Sequence, residues 1–196
     1  MLTAAFNDPV LDAQATFRAV LGAAAQPGTI AELSRVPAAP PPLSAGAAAI
    51  ALTLCDRETP LWLDSTLLSS PTTVRWLRFH TGAPIVDDAG SAAFAFVSAP
   101  EQLPSFDHFN LGTAEYPDRS TTIVLQIRSF REGPRFALTG PGIRIREQMQ
   151  AAPLPGDMLQ RLSANRKHFP RGVDLLFATE TQMMALPRSI EVGRGD

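Results

Sequence analysis

Hydrophobic positions along this chain switch between helical and strand-like periods. Val10, Ala13, Phe17, Val20, Leu21 and Ala24 recur at helical spacing, with Asp8-Pro9 as a start signal and Gln26-Pro27-Gly28 as a stop. The spacing predicts an amphipathic helix over 9–25, with Phe17 and Leu21 toward the core and Arg18 at the polar edge. A second helix, 45–55, is capped by Ser44 and apolar nearly all round, which predicts burial. A third, 71–81, starts at Ser70-Pro71 and stops at Gly82. A fourth is expected near 157–165, with Met158, Leu159 and Leu162 on one side. Short apolar runs at 29–33, 60–63, 92–97, 172–178 and 182–186 read as strands. The proline-rich segment 37–42 reads as a stiff connector. Val192–Asp196, small and polar, reads as a mobile tail.

The stretch 121–146 carries the clearest alternation. Ile123, Leu125 and Ile127 alternate with Val124, Gln126 and Arg128, and Phe136 and Leu138 alternate with Ala137 and Thr139. With Gly133-Pro134 between the two runs, the pattern predicts a β-hairpin in the middle of a sheet. Helices alternate with strands early and hairpins dominate late. The expected class is therefore α/β, a single layered domain spanning 1–196 with a mixed β-sheet flanked by helices. The late apolar residues Leu175, Leu176, Phe177, Met183, Met184 and Leu186 fit strands buried on both faces, or one face covered by a partner.

Composition narrows the function. A net charge of −2 supplies no general basic field for nucleic acid. No stretch approaches the roughly 20 apolar residues of a membrane span, and the opening MLTAAFNDPV leads to no expected secretory leader. A single cysteine, Cys55, forbids an intrachain disulfide and fits a reducing, cytoplasmic setting. Neither a Walker loop nor a G-x-S-x-G elbow is present. His80, His108 and His168 lack metal-ligand spacing, so no metal is expected. His80 reads as a partly exposed residue at a helix end, and His108, between Phe106 and Phe109, as a packed one. No catalytic residue stands out. The one candidate for ligand binding is the turn Thr139-Gly140-Pro141-Gly142, followed by Arg144: Thr139, Gly140, Gly142 and Arg144 could bind an anion, or the glycines could simply hold a turn.

Six stretches taken together carry a resemblance: AQATFRAVLGAAAQPG, ALTLCDRETPLWL, LRFHTGAP, TAEYPDRSTTIVLQI, LTGPGI, and HFPRGVDLLFA followed by ALPR. In order and spacing they resemble the H subunit of the carbon–phosphorus lyase core complex, the PhnH family, over about Phe6 to Arg188. One departure is Ala23-Ala24-Ala25, where the family often carries a methionine. The resemblance implies a fold similar to the large domain of pyridoxal-phosphate-dependent transferases, without that cofactor. The sole lysine, Lys167, lies in a polar Asn-Arg-Lys-His run, which agrees with the absence of a Schiff base. The resemblance further implies a homodimer that works with G, I and J subunits, and indirectly with an L subunit. Together these would transfer the ribose triphosphate of ATP to an alkyl phosphonate with release of adenine. The J subunit would carry an iron–sulfur cluster, whose thiolates one cysteine cannot supply. The competing readings are a free-standing nucleotide- or phosphonate-binding module and an independent enzyme on a transferase-like fold.

Overall fold

A computed structural model of the chain describes residues 5–34 and 36–195. Helix α1 (Pro9–Ala25) starts where expected, the Asp8 carboxylate accepting from the N–H groups of Val10 and Leu11. It leads through the two-residue strand β1 (Ala31–Glu32) and the proline connector to α2 (Ala45–Leu54). Then come β2 (Leu61–Leu63), a short α3 (Ser65–Leu68), α4 (Pro71–Thr81) and β3 (Phe94–Val97). Three 3₁₀ turns separate β3 from β4 (Thr122–Gln126). The rest is β5 (Arg135–Thr139), β6 (Glu147–Gln150), α5 (Met158–Lys167), β7 (Asp174–Ala178), β8 (Gln182–Leu186) and β9 (Glu191–Arg194).

Six strands form a mixed sheet in the order β1-β8-β7-β4-β3-β2. Strands β2, β3, β4 and β7 run parallel, and β8 and β1 add antiparallel pairs at one edge. Apolar side chains therefore alternate between two cores. Val124, Leu176, Met183 and Ala185 face a layer containing residues of α1, α2 and α4. Ile123, Leu125, Leu175, Phe177, Met184 and Leu186 face the other side. That alternation accounts for the late apolar run: all of Leu175, Leu176, Phe177, Met183, Met184 and Leu186 are buried within the chain, and no partner is needed to cover them.

The expected hairpin over 121–146 does not form. Strand β4 sits inside the large sheet, paired with β3 and β7, whereas β5 belongs to a second, three-stranded antiparallel sheet, β6-β5-β9. Residues 127–134 cross between the sheets, because β4 is occupied on both edges by parallel partners and has no edge left to pair with β5. Strand β9 also replaces the expected tail: Leu138 pairs with Val192 and Phe136 with Arg194, and the Gly195 N–H donates to the Arg135 carbonyl.

In α1 the core-facing residues are Thr16, Val20 and Ala23, while Phe17 and Leu21 are exposed. The small side chains of the buried stripe let α1 lie close to α2 and β8, so the larger residues of the pattern end up on the outside. Helix α2 is buried as expected, with Ala47, Ala48, Ala49, Ile50 and Ala51 fully enclosed.

Candidate functional site

In α/β sheets, ligands gather beyond the carboxyl ends of the parallel strands. Here those ends are Leu63 of β2, Val97 of β3, Gln126 of β4 and Ala178 of β7. Side chains of this chain already fill the space immediately beyond them. Asp64, buried just after β2, accepts from the backbone N–H of Leu67 at 2.8 Å, Ser98 at 2.6 Å and Ala99 at 2.9 Å, and from the Ser98 hydroxyl. Its oxygens are saturated and cap α3 while tying β2 to the end of β3.

The amino end of α2 arrives at the same edge, a place that in other proteins cradles phosphate. Three of the N–H groups there, those of Ser44, Ala45 and Ala47, are also occupied. Gln126 Oε1 accepts from Ser44 N–H, and Gln126 Nε2 donates to the Pro42 carbonyl at 3.3 Å. Glu180 Oε2 accepts from Ala45 N–H at 2.8 Å, and Ser44 Oγ from Ala47 N–H at 3.2 Å. The approach is close because residue 46 is glycine: a Cβ there would lie 2.0 Å from the Thr179 carbonyl oxygen. What remains open is a cleft of about 400 Å³ between the proline connector and Glu180.

The opposite edge of the sheet is different. Asp174, at the start of β7, accepts from the Arg188 N–H at 2.8 Å and from its Nε at 3.1 Å, with a further contact to Nη2. Arg188 Nη1 also donates to the Pro117 carbonyl. Beside this clamp lies an apolar cavity of about 250 Å³, walled by Val20, Ala24, Leu54, Phe94 and Leu176. A carboxylate and guanidinium committed to each other in this way hold the loop before β4 to the end of β8.

The candidate anion turn is formed as its residues suggest. Ile143 N–H donates to the Gly140 carbonyl at 3.1 Å, with Pro141 and Gly142 (φ 82°) at the corners, the signature of a type II turn. Thr139, Gly140, Gly142 and Arg144 lie together on the surface. The turn rests against the carboxyl end of α1, and a Cβ on Gly142 would meet the Ala25 carbonyl oxygen at 2.2 Å. That helix end carries partial negative charge, so the surroundings that require glycine at 142 do not favour an anion.

Other candidate groups are dispersed. His80 is half-buried between Trp76 and Phe79, with ring centroids 4.6 and 5.0 Å away. His108 is exposed, not packed: the apolar neighbours Phe106 and Phe109 turn inward on a 3₁₀ turn and leave the imidazole between them outside, its Nδ1 3.2 Å from the Ser105 carbonyl. Among the described residues no group of three or more His, Cys, Asp or Glu side chains could hold a metal. Lys167 is exposed in the last turn of α5. Burial pushes the Cys55 thiol far above its usual pKa, which makes it a poor nucleophile. No helix among the described residues is long and apolar enough to cross a membrane.

Sequence reasoning missed Asp64, Gln126, Gly46 and Glu180, the groups that close the carboxyl edge. Asp64 did carry a signal, an Asp placed before Ser65-Thr66-Leu67-Leu68 as a helix cap. Gln126 did not, because its partner Ser44 is 82 positions away.

Comparison with known proteins places these features in context. The family model for "Bacterial phosphonate metabolism protein (PhnH)" matches residues 4–193. A protein of Rhizobium meliloti (strain 1021), named "Alpha-D-ribose 1-methylphosphonate 5-triphosphate synthase subunit PhnH", is 42% identical over 190 residues, covering 97% of this chain and 94% of the relative. A protein of Stutzerimonas stutzeri, named "Putative C-P lyase subunit protein HtxG", is 39% identical over 83 residues, 42% of each chain.

Proposed function

The chain belongs to the PhnH family, and from that premise we propose that it is a subunit of a ribose 1-methylphosphonate 5-triphosphate synthase in bacterial phosphonate breakdown. The observation that carries this reading is the 42% identity to a subunit so named, spread over 97% of the chain. The chemistry would be transfer of the ribose triphosphate moiety of ATP to an alkyl phosphonate with release of adenine. It would take place on, or between, other chains of the assembly. The largely occupied carboxyl edge supports that division of labour, since Asp64 and Gln126 spend their polar atoms, and Glu180 one carboxylate oxygen, on groups of this chain.

In this reading the chain is cytoplasmic, forms a homodimer when isolated, and joins G, I and J subunits, with an L subunit engaged indirectly. Its fold would be akin to the large domain of pyridoxal-phosphate-dependent transferases, without the cofactor. The test is adenine release from ATP and methylphosphonate, followed chromatographically with purified subunits. The full set should release adenine, the set lacking this chain should not, and the chain alone should be inert. Adenine release by the chain alone would replace this reading with an independent enzyme. ATP binding by the lone chain, with the full set indifferent to its omission, would replace it with a free-standing binding module.

A further inference from the structure

Helix α4 carries two faces of unlike purpose. Thr73, Trp76 and Leu77 are buried against the rest of the fold. On the opposite side Pro71, Val74, Arg75, Arg78 and Phe79 line an open groove of about 450 Å³. Their spacing (i, i+3, i+4, i+7, i+8) makes a single stripe about 12 Å long. Pro71, Arg75 and Phe79 form one ridge and Val74 and Arg78 the next, the relief into which a second helix packs. Phe79 is 67% exposed, and Leu68, on the adjoining α3, is 46% exposed. Phe79 is held rather than loose, because His80 is stacked edge-on against it and tilted against the buried Trp76. A pre-positioned aromatic ring loses little freedom on binding.

The charge on this stripe is of one sign. The helix, PTTVRWLRFHT, contains no acidic residue although the chain as a whole is at −2. Arg75 and Arg78 make no hydrogen bond or ion pair among the described residues. Arg57, whose Cγ would lie 3.1 Å from a Cβ at Gly82, brings a third such guanidinium-bearing side chain to the carboxyl end of the helix.

We propose that the outer stripe of α4 is a docking surface for an acidic amphipathic helix on another protein subunit, with Phe79 as the apolar anchor and Arg75 and Arg78 as partners for its carboxylates. This rests on the reading of the chain as one subunit of a larger assembly. Two arginines beside a fixed aromatic ring suit protein recognition. Nucleic acid would require a longer basic track, and a membrane surface a longer apolar face.

The test uses the assembly purified through a tag on this chain, with wild type compared against Phe79→Asp and Arg75→Glu/Arg78→Glu. All these side chains are solvent-facing, and thermal melts of the free chains serve as the folding control. Each variant is expected to bind the remaining subunits about 30-fold or more weakly. Wild-type affinity should fall between 50 and 500 mM salt, and the double arginine variant should lose most of that dependence. Amide exchange across 71–81 should slow on assembly in wild type only. If both variants assemble with wild-type affinity, the docking inference is wrong while the subunit reading stands. If wild type itself fails to assemble, both are wrong. Binding of the free chain to phosphatidylserine vesicles through Phe79, with assembly unaffected, would also overturn the inference.

Discussion

The two faces of the six-stranded sheet are covered by different materials. One face lies under α1, α2 and α4, and its helix contacts are made largely by small side chains: Ala23, Ala47, Ala48, Ala49 and Ala51 are all essentially inaccessible. The other lies under the second sheet, α5 and the 3₁₀ segments, and is filled with large ones: Phe106, Phe109, Phe130, Phe136, Met149 and Met158. Small residues let helix axes come close and bury backbone near backbone. Large ones bridge a wider gap to strands and loops that cannot follow the sheet so tightly. The first design is intolerant of added atoms, the second of removed ones.

That contrast orders the expected effects of substitution. The largest belongs to Gly46→Val on the helical face, where the new Cβ would lie 2.0 Å from a backbone carbonyl rather than a yielding side chain. A loss of more than about 4 kcal/mol is expected in urea melts; a loss below about 1 kcal/mol would mean the α2 approach is not tight. Next is Phe136→Ala on the opposite face, with Phe136 only 3% exposed and an expected loss of about 3–4 kcal/mol. The two tryptophans separate the faces. Trp76 is buried in the helical core, and Trp62 packs edge-on against Phe109 at 5.5 Å on the other side. In Phe136→Ala carrying only one tryptophan, coincident melts from Trp62 and Trp76 would show that the faces unfold as one unit. Separated melts would break them into two.

Gly142→Ala tests the seam, because its turn docks the second sheet against the end of α1. With φ at 82° and the Ala25 oxygen 2.2 Å from the added Cβ, a loss of about 2 kcal/mol is expected; an unchanged melt would show the turn free to move off the helix. The smallest effect lies at the amino end of α5. The hydrogen bond from Arg161 Nε, 2.7 Å away, holds the Asp157 carboxyl below its usual pKa. A depressed carboxylate stabilises the fold above its unfolded pKa of about 3.9 and loses that contribution as pH falls through the lower folded value. Asp157→Asn should therefore lower stability slightly at neutral pH, converge with wild type in acid, and so flatten the acid limb of the stability profile. A change at pH 3 as large as or larger than that at pH 7 would contradict this assignment.

The same contrast explains what was legible in the sequence. The helical face could be read because a helix announces itself locally: Asp8-Pro9, Ser44 and Ser70-Pro71 mark the starts of α1, α2 and α4, and Gly82 ends α4 in a left-handed conformation. Which stripe of α1 turned inward could not be, since Phe17 and Leu21 outweigh Thr16 and Ala23 in any apolar count. The other face depends on pairings distant in sequence. Strand β5 alternates as a hairpin partner of β4 would, yet its neighbours are β6 and β9, and nothing within its own five residues says so. The candidate turn at 139–144 was visible because glycine and proline specify turn geometry locally. The closed carboxyl edge was not, because Ser44, Gln126 and Glu180 meet only after α2 has packed.

The pairing of β5 with β9 also bears on how the chain is made. Strand β9 is translated long after β5, so one edge of β5 emerges from the ribosome without its neighbour. An unpaired edge bearing Phe136 and Leu138 is a template for pairing with other nascent chains. Neighbouring residues supply a built-in deterrent, as the edge opens on Arg135 and is bracketed by Glu132 and Pro134 before it and by Pro141, Arg144 and Arg146 after it. Charge and proline at the ends of a temporarily open strand act as gatekeepers during synthesis, and in the finished fold one of them, Arg146, turns to the Arg194 carbonyl of β9 itself.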